Sequence, residues 1–322
     1  MRNVIIRKAT YADIPQLITL RILYLYEKYG EKAEVGIDNL GVEIDRYFRK
    51  HLNHDVDVMV VELDGCIVGM FCICYLILIP GMFPFAERTA YLYFEYIKPE
   101  YREKDIISGL YDISIKSAKE KNATVFEKEV LETEFHLYEK AGFMKSPFPL
   151  VRMFLPAKCH YNNADNGYGE IVFRKASISD LSCLVNIRLQ YLADTSGKIE
   201  VTSNKDLSER IRSYIGEYLN NRLEVFVAEC NKVIVATIFI IYYARLPGLE
   251  LPSGKAGVPV NFYVKPYYKA KNVLEALYEY AADNSFNNSV GLFDMTIPEK
   301  EMQFYEKLGF EQIAVKPIQL LI

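Results

Sequence analysis

The sequence has no excess of positive charge, because 38 Lys and Arg residues stand against 42 Asp and Glu residues and the formal net charge is -4. Proteins that bind nucleic acid or an anionic membrane surface usually neutralise phosphates with a basic patch. Nucleic acid and membranes are therefore poor candidates as partners. The chain has 322 residues, which is enough for about two domains.

Metal-binding patterns are also missing. The six cysteines include no CxxC pair, and their spacing from the four histidines is not that of a zinc site. His51 and His54 are three residues apart, but the internal repeat described below has Tyr218 and Asn221 at the equivalent positions. We therefore expect no metal, and reduced thiols of the kind that cytoplasmic proteins carry.

Several catalytic and targeting signatures do not occur. The chain has no Gly-x-Ser-x-Gly elbow, no P-loop and no His-Glu-x-x-His, so nothing supports a hydrolase, a nucleotidase or a zinc protease. Residues 67–85 carry no charge, but Pro80, Gly81 and Pro84 interrupt a helix there and 67–79 is typical of a buried strand. The N-terminus has charged residues where a signal peptide would be apolar. We expect a cytoplasmic protein without a membrane span.

The chain contains an internal repeat with a constant offset of 167 residues, as from Arg7 to Arg174. The segment 6–10 recurs at 173–177, and Tyr138-Glu139-Lys140 recurs as Tyr305-Glu306-Lys307 without an intervening gap. Solenoid repeats are much shorter, so this is a duplicated domain. The arginines Arg21 and Arg188 recur in the same way as Arg7 and Arg174, and we expect all four to form salt bridges within their own domains.

The repeat divides the chain into an N-terminal domain at 1–156, a linker at 157–169 and a C-terminal domain at 170–322. The linker is rich in Asn, Asp and Gly, which favour turns. Hydrophobic periodicity predicts the order β-α-α-β-β-β-α-β-α-β-β in each copy. A last strand pair, ending near Leu155 in the first copy, completes the copy. The fold class is α/β (α+β), with a mixed central sheet flanked by helices.

Two segments of each copy carry informative motifs. The first is a strand-Pro-helix junction at 97–107 and 264–274, and the second is a Leu/Phe-Tyr-Glu-Lys-x-Gly-Phe segment at 137–143 and 304–310. Both resemble the GCN5-related N-acetyltransferase (GNAT) family, whose junction has the pattern Val-x-Pro-x-Tyr-Arg-Gly-x-Gly-x-Gly/Ala. The chain is identified by this resemblance as a pair of tandem GNAT (acyl-CoA N-acyltransferase) domains.

The resemblance implies that acetyl-CoA binds between two splayed strands and gives its acetyl group to a primary amine of a small molecule or peptide. Amides at the first turn of the helix after the junction would hold the pyrophosphate. Tyr305 and Tyr138 would protonate the departing thiolate, and Asn261 would contact the acceptor. The residues expected to contact the cofactor are Val264, Lys265, Lys269, Ala270, Lys271, Asn272, Val273 and Leu274 in the second copy, and Ile97, Arg102 and Lys104 in the first.

The glycines of the family junction are missing from both copies. The first copy has Glu103 and Asp105 there, whose carboxylates should repel a pyrophosphate or cap the helix in its place. The second copy keeps positive charge, and its Asn272 tolerates a left-handed backbone. We therefore expect the C-terminal half to be the better candidate for acetyl transfer. The alternative is a catalytically degenerate pair of domains that binds a ligand or a protein. For either function, we expect the chain to be a monomer or a homodimer.

Overall fold

The computed structural model describes residues 4–30, 37–81, 87–155 and 171–322. These residues form two seven-stranded mixed sheets with helices on their faces, as the sequence predicts. The predicted linker at 157–169 lies outside the described residues. Within the described ranges, no helix is long and apolar enough to span a membrane.

The predicted order of elements is confirmed in both halves. In chain order, the described part of the N-terminal half forms β1 (Val4–Lys8), α1 (Ile14–Tyr29), α2 (Ile37–His51), β2 (Val56–Leu63), β3 (Cys66–Ile77), β4 (Arg88–Ile97), α3 (Lys104–Glu120), β5 (Val125–Leu131), α4 (His136–Glu139), β6 (Met144–Lys145) and β7 (Leu150–Phe154). The C-terminal half forms β8 (Ile171–Lys175), α5 (Leu181–Ser196), α6 (Lys205–Tyr218), β9 (Leu223–Cys230), β10 (Val233–Ala244), β11 (Lys255–Val264), α7 (Val273–Asn287), β12 (Leu292–Thr296), α8 (Met302–Lys307), β13 (Glu311–Gln312) and β14 (Val315–Leu321).

The start of α1 is fixed by local polar contacts. Thr10 and Asp13 form a capping box in the turn that leads into the helix. Arg7 on β1 donates to Asp13 at 2.8 Å and to Glu62 at 2.7 Å, and it holds the pKa of Asp13 down at about 2. Arg174 makes the equivalent ion pairs in the C-terminal half. The predicted salt bridges within each domain are therefore confirmed for these two arginines.

The central parallel strands of each sheet pair over a short distance and then diverge. β4 pairs with β5 over Thr89–Leu92 only, and β11 pairs with β12 at Ala256 and Gly257 only. A bulge between β3 and β4 directly follows Leu92, and another between β10 and β11 lies a few residues beyond Gly257, so each bends the strand after the pairing has ended. Each sheet therefore has a cleft between its two central strands.

The last strand of each half belongs to the sheet of the other half. β7 pairs antiparallel with β12, and β14 pairs antiparallel with β5. The strand orders are β1-β2-β3-β4-β5-β14-β6 and β8-β9-β10-β11-β12-β7-β13. The prediction that the last strand pair completes its own copy is thus wrong for β7 and β14. Alternating apolar residues define a strand but not its partner, and the two similar sheets offer equivalent edges.

The exchanged strands are buried in the cores that they enter. Ile318 of β14 has no exposed surface and packs in the N-terminal core with Phe126, while Val151 of β7 is equally buried in the C-terminal core. Burying one such side chain contributes about 1.5–3 kcal/mol. We infer that neither sheet is complete without the other half of the chain.

A second pair of reciprocal contacts joins the halves. Arg21 on α1 donates to the carbonyl oxygen of Pro247 at 3.0 Å, and Arg188 on α5 donates to the carbonyl oxygen of Pro80 at 3.3 Å. Both arginines are buried. The prediction that they form salt bridges within their own domains is wrong. Each one instead crosses to the loop that follows the third strand of the opposite half.

The strand exchange predicts that the halves fold only together. If the chain is cut at residue 160, the fragments 1–160 and 161–322 should each aggregate or stay largely unfolded, because β5 and β12 then lack the strands that complete their sheets. Co-expression should restore one complex with a single cooperative unfolding transition, measured by gel filtration and circular dichroism.

A second cut provides the matched control. The fragment 148–322 keeps β7 beside β12, so it should be more stable than 161–322. A fragment 1–160 that folds alone, with amide protection along β5, would contradict the prediction.

Candidate active site

The cleft of the N-terminal half opens into two adjoining cavities of about 490 and 390 Å³. Tyr24, Lys28 and Glu95 line both of them. The larger cavity is closed on one side by the loop 245–251 of the C-terminal half. The smaller one extends towards the strand-Pro-helix junction and reaches Tyr138. Residues of both halves therefore enclose the space around Glu95.

A network of charged and phenolic groups spans the diverging strands of this cleft. Lys128 on β5 donates from Nζ to Glu95 Oε2 on β4 at 2.6 Å, to the Tyr138 hydroxyl at 2.9 Å and to the Tyr111 hydroxyl at 2.5 Å. Tyr111 donates to the other oxygen of Glu95. The Lys128 side chain is only 3% exposed, so these contacts replace the water that its charge has lost.

Burial and the neighbouring Glu95 carboxylate raise the pKa of Tyr111 well above its ordinary value, so this phenol stays protonated. Glu95 is thus held by two donors, while the Tyr138 hydroxyl accepts a hydrogen bond from a cation. The arrangement places a carboxylate, an ammonium group and a phenol within one connected set of hydrogen bonds.

The equivalent cleft of the C-terminal half is apolar. Phe262 and Met295 stand where the first half has Glu95 and Lys128. Tyr305, which corresponds to Tyr138, packs edge-on against Phe262 with ring centres 5.2 Å apart, and is only 6% exposed. Burial raises the pKa of Tyr305 above the ordinary tyrosine value. The structure thus puts this predicted catalytic tyrosine in a packed core.

Comparison with known proteins agrees with this architecture. The sequence model of the Acetyltransferase (GNAT) family matches residues 22–143, which include Glu95, Lys128 and Tyr138. A tandem GNAT protein from the clavulanic acid biosynthesis pathway has the same fold over 99% of this chain and 98% of its own, with a TM-score of 0.55 and 14% identity. Residues 22–143 thus match the GNAT family, and the chain as a whole shares the fold of a tandem GNAT protein.

Two further structures share the fold of this chain. One is a GCN5-related N-acetyltransferase from Sphaerobacter thermophilus, with a TM-score of 0.55, 14% identity, and coverage of 98% of this chain and 95% of that one. The other is a glucosamine N-acetyltransferase region of a fungal multi-domain GH3 β-N-acetylglucosaminidase, with a TM-score of 0.57 and 12% identity. It aligns with 99% of this chain, which spans 38% of the length of the fungal one. No curated protein matches the sequence.

These likenesses show the fold, which is that of acyl-CoA-dependent N-acetyltransferases. An amine is the acceptor that such a fold suggests. Among the described residues, no group of three His, Cys, Asp or Glu side chains is arranged to hold a metal ion.

The GNAT junction of the N-terminal half leaves the start of α3 at the edge of the smaller cavity. The first helical hydrogen bond runs from the amide of Ile107 to the carbonyl of Glu103, so the amides at 104–106 point out of the helix end. Glu103 and Asp105 are exposed, and the Glu103 side chain does not cap the helix. Arg102 donates to the carbonyl of Ile97 at 2.8 Å. The side chain of Lys104 lies outside the described part of the chain.

The junction of the C-terminal half has a different backbone. A 3-10 helix runs over Pro266–Lys271, and Asn272 follows with φ 52°, a left-handed conformation that asparagine tolerates. The turn occupies the segment that would have to wrap a pyrophosphate. Of the other cofactor candidates, Lys269 is exposed, Lys265 and Leu274 are partly buried, and Val264 and Val273 are buried, while the side chains of Ala270 and Lys271 lie outside the described residues.

Asn261, the predicted acceptor contact, lies in the core at the bulge of β11. It is 1% exposed, and its φ of 56° is the left-handed conformation. Its amide donates to Thr237 Oγ1 at 3.1 Å and accepts from Arg188 at 3.3 Å. Both ends of the amide are therefore engaged within the protein.

Sequence reasoning selected Tyr138 but missed Glu95 and Lys128. The family motifs do not include these two positions, so the motif search passed over them. The signal that could have found them is the repeat itself. When the two copies are aligned, Glu95 and Lys128 of the first copy correspond to Phe262 and Met295 of the second.

Paired charges lie where the exchanged strands meet the clefts. Arg152 on β7 contacts Glu129 at 3.0 Å and Asp294 at 3.4 Å, and Arg245 contacts Asp294 at 2.9 Å. The equivalent position to Arg152 in β14 is occupied by Gln319. The β7–β12 and β14–β5 pairs thus have the same register, but Arg152 in β7 is charged and Gln319 in β14 is neutral.

Gln319 donates to Glu127 at 2.6 Å, but burial and the nearby Glu129 and Asp294 carboxylates raise the pKa of Glu127 to about 7. The folded protein therefore binds this proton more tightly than the unfolded chain does. Its stabilising effect is full below the unfolded pKa of about 4.3 and is lost as the pH rises through about 7. We expect urea unfolding to show a loss of up to about 3 kcal/mol between pH 4.5 and 8 from this group.

The variant Gln319→Arg places an arginine opposite Glu127, as Arg152 lies opposite Asp294 in the β7–β12 pair. It should therefore lower the pKa of Glu127 and flatten this pH dependence. Glu127→Gln should flatten it as well, since no carboxyl group remains. An unchanged slope in both variants would show that Glu127 is not responsible.

Proposed function

We propose that the protein transfers the acetyl group of acetyl-CoA to a primary amine, and that the transfer takes place in the cleft of the N-terminal half. The observation that carries this proposal is the Glu95, Lys128 and Tyr138 network beside two open cavities. The sequence led us to expect the C-terminal half. The geometry favours the N-terminal half, because the other cleft is filled by Phe262 and Tyr305.

The donor fits the N-terminal cleft in the way that the fold suggests. Beyond Leu92, β4 no longer pairs with β5, so its backbone groups are available to the amides of pantetheine. The amides at 104–106 and the dipole of α3 would hold the pyrophosphate. Glu103 and Asp105 are exposed, where repulsion between charges about 4 Å apart is about 1 kcal/mol. They should weaken the binding without preventing it.

The residues of the network account for each proton in the reaction. The amine nitrogen attacks the thioester carbonyl carbon, and the C–S bond then breaks as the new amide forms. Glu95, directly or through water, takes the proton that the nitrogen loses, and Tyr138 gives its proton to the CoA thiolate. The Lys128 ammonium stabilises the tyrosinate that remains. Transfer of the proton from Glu95 to Tyr138 through the network restores the starting state.

In this proposal the C-terminal half is a degenerate acetyltransferase domain with a structural task. Its loop 245–251 closes the larger cavity, and its β14 completes the sheet that carries Lys128. The alternative of a non-catalytic binding module therefore applies to one half of the chain and not to both.

The duplication allows the acetyl-CoA site to be located by matched variants. Glu103→Gly with Asp105→Gly removes two negative charges from the first junction and should tighten acetyl-CoA binding at least fivefold, measured by isothermal titration of the intact protein. Ala270→Gly with Asn272→Gly changes the equivalent positions of the second junction and should leave the affinity unchanged. A gain in the second variant alone would move the site to the C-terminal half, and no binding by any variant would overturn the enzyme proposal.

The network predicts which substitutions stop the chemistry. Tyr138→Phe should lower kcat about 100-fold, because the thiolate then lacks its proton donor. Lys128→Met installs the residue of the other half, and it should lower kcat to a similar extent. The release of the CoA thiol at saturating acetyl-CoA measures both.

Tyr305→Phe is the matched control and should keep normal activity. Thermal unfolding of each variant separates a loss of chemistry from a loss of folding. If Tyr305→Phe is inactive and Tyr138→Phe is active, the assignment of the halves is reversed.

A further inference from the structure

Arg21 brings a positive charge to the larger cavity without a carboxylate beside it. In the described part of the chain, its hydrogen bonds go to the neutral carbonyl oxygens of Pro247 at 3.0 Å and Leu246 at 3.5 Å. Its guanidinium lies over the ring of Phe94, 4.6 Å from the ring centre. Arg21 is 8% exposed and lines the cavity. A buried cation without a counter-charge is costly, so a ligand anion would be favoured there.

Arg188, the equivalent of Arg21 in the C-terminal half, shows which contacts of Arg21 serve only to join the halves. Arg188 makes the same kind of contact with the carbonyl of Pro80, but it also donates to Asn261 Oδ1 at 3.3 Å. The first half has Phe94 at the position of Asn261. Among the described contacts, Arg21 therefore lacks the side-chain oxygen that Asn261 offers to Arg188, and its guanidinium lines the cavity.

The other charges of the cavity are largely compensated. Arg152 and Arg245 are paired with Glu129 and Asp294, and Glu95, which lines the cavity, is paired with Lys128. Lys28 and Glu250, which attract each other electrostatically, are the remaining charged residues of the lining. Arg21 is thus the buried cation whose described hydrogen bonds leave it free to form a two-point contact with a carboxylate.

We propose that Arg21 binds a carboxylate of the acceptor, so that the acceptor is a small primary amine that carries a carboxylate, as an amino acid does. This inference rests on the proposed function, because the amine must reach Glu95 in the same cavity. The C-terminal half takes part in the selection. A β-carbon at Gly248 would lie 2.6 Å from Arg21 Nη2, so only glycine leaves the guanidinium in its place.

Paired amines test the proposal on the intact protein. Lysine is compared with cadaverine, phenylalanine with phenethylamine, and phosphoethanolamine with ethanolamine. The readouts are the release of the CoA thiol from acetyl-CoA and the shift of the unfolding midpoint by each amine in the presence of CoA. At least one carboxylate-bearing amine should have a kcat/KM ten or more times that of its neutral partner, and it should raise the midpoint at lower concentration.

Substitutions at Arg21 and at Gly248 should remove this preference. Arg21→Met should lower kcat/KM for the carboxylate-bearing amine at least tenfold and change that of the neutral amine less than threefold. Because Arg21→Met also breaks a contact between the halves, Gly248→Ala provides a second variant that displaces the guanidinium and keeps its charge. Gly81→Ala is the matched control, since its β-carbon would lie 3.9 Å from Arg188 Nη2, and it should keep the preference.

The outcomes separate this inference from the function on which it rests. If wild-type protein binds no acetyl-CoA, the proposed function is overturned. If it binds acetyl-CoA but responds to no carboxylate-bearing amine, or prefers only phosphoethanolamine, the carboxylate site is overturned and the acetyltransferase remains. Equal losses for both members of a pair in Arg21→Met and Gly248→Ala would assign Arg21 to the joining of the halves alone.

Discussion

The reciprocal pairing of β7 with β12 and of β14 with β5 is the constraint on which the rest of the structure depends. Each exchanged strand lies directly beside one of the two strands that diverge to form a cleft. The strand therefore fixes the outer wall of a cleft in the opposite half. The clefts, the buried charges around Arg152 and the loops that Arg21 and Arg188 contact all lie along this shared boundary.

Within this symmetric frame the two clefts differ in polarity. The N-terminal cleft keeps an ionisable network, and Lys128 is stable there because three oxygen atoms replace its water. The C-terminal cleft has Phe262 and Met295 at the same positions, and their packing needs no such compensation. A polar cleft holds charge at some cost in stability, whereas an apolar cleft gains packing and loses proton transfer.

The sequence was sufficient to predict the order of the elements, because apolar periodicity and the offset of 167 residues supported each other. The motif also led to Tyr138, whose hydroxyl contacts Lys128, and Asn272 has a left-handed backbone of the kind that asparagine tolerates. Partner choice could not be predicted for β7 and β14, since equivalent edges are indistinguishable in a pattern of apolar residues. Arg21 was misassigned for a related reason. A residue that recurs in both copies can contact its own half or the opposite half, and recurrence alone does not distinguish these cases.

The long separation between β5 and β14 also affects how the protein is made. β5 ends at residue 131, and its partner strand begins at residue 315. During synthesis the ribosome must therefore add most of the C-terminal half before the N-terminal sheet can close. Until then one edge of β5 stays unpaired, which is a site for incorrect association with other strands. Such non-local pairing also slows folding, so a nascent chain of this design depends on early protection of that edge.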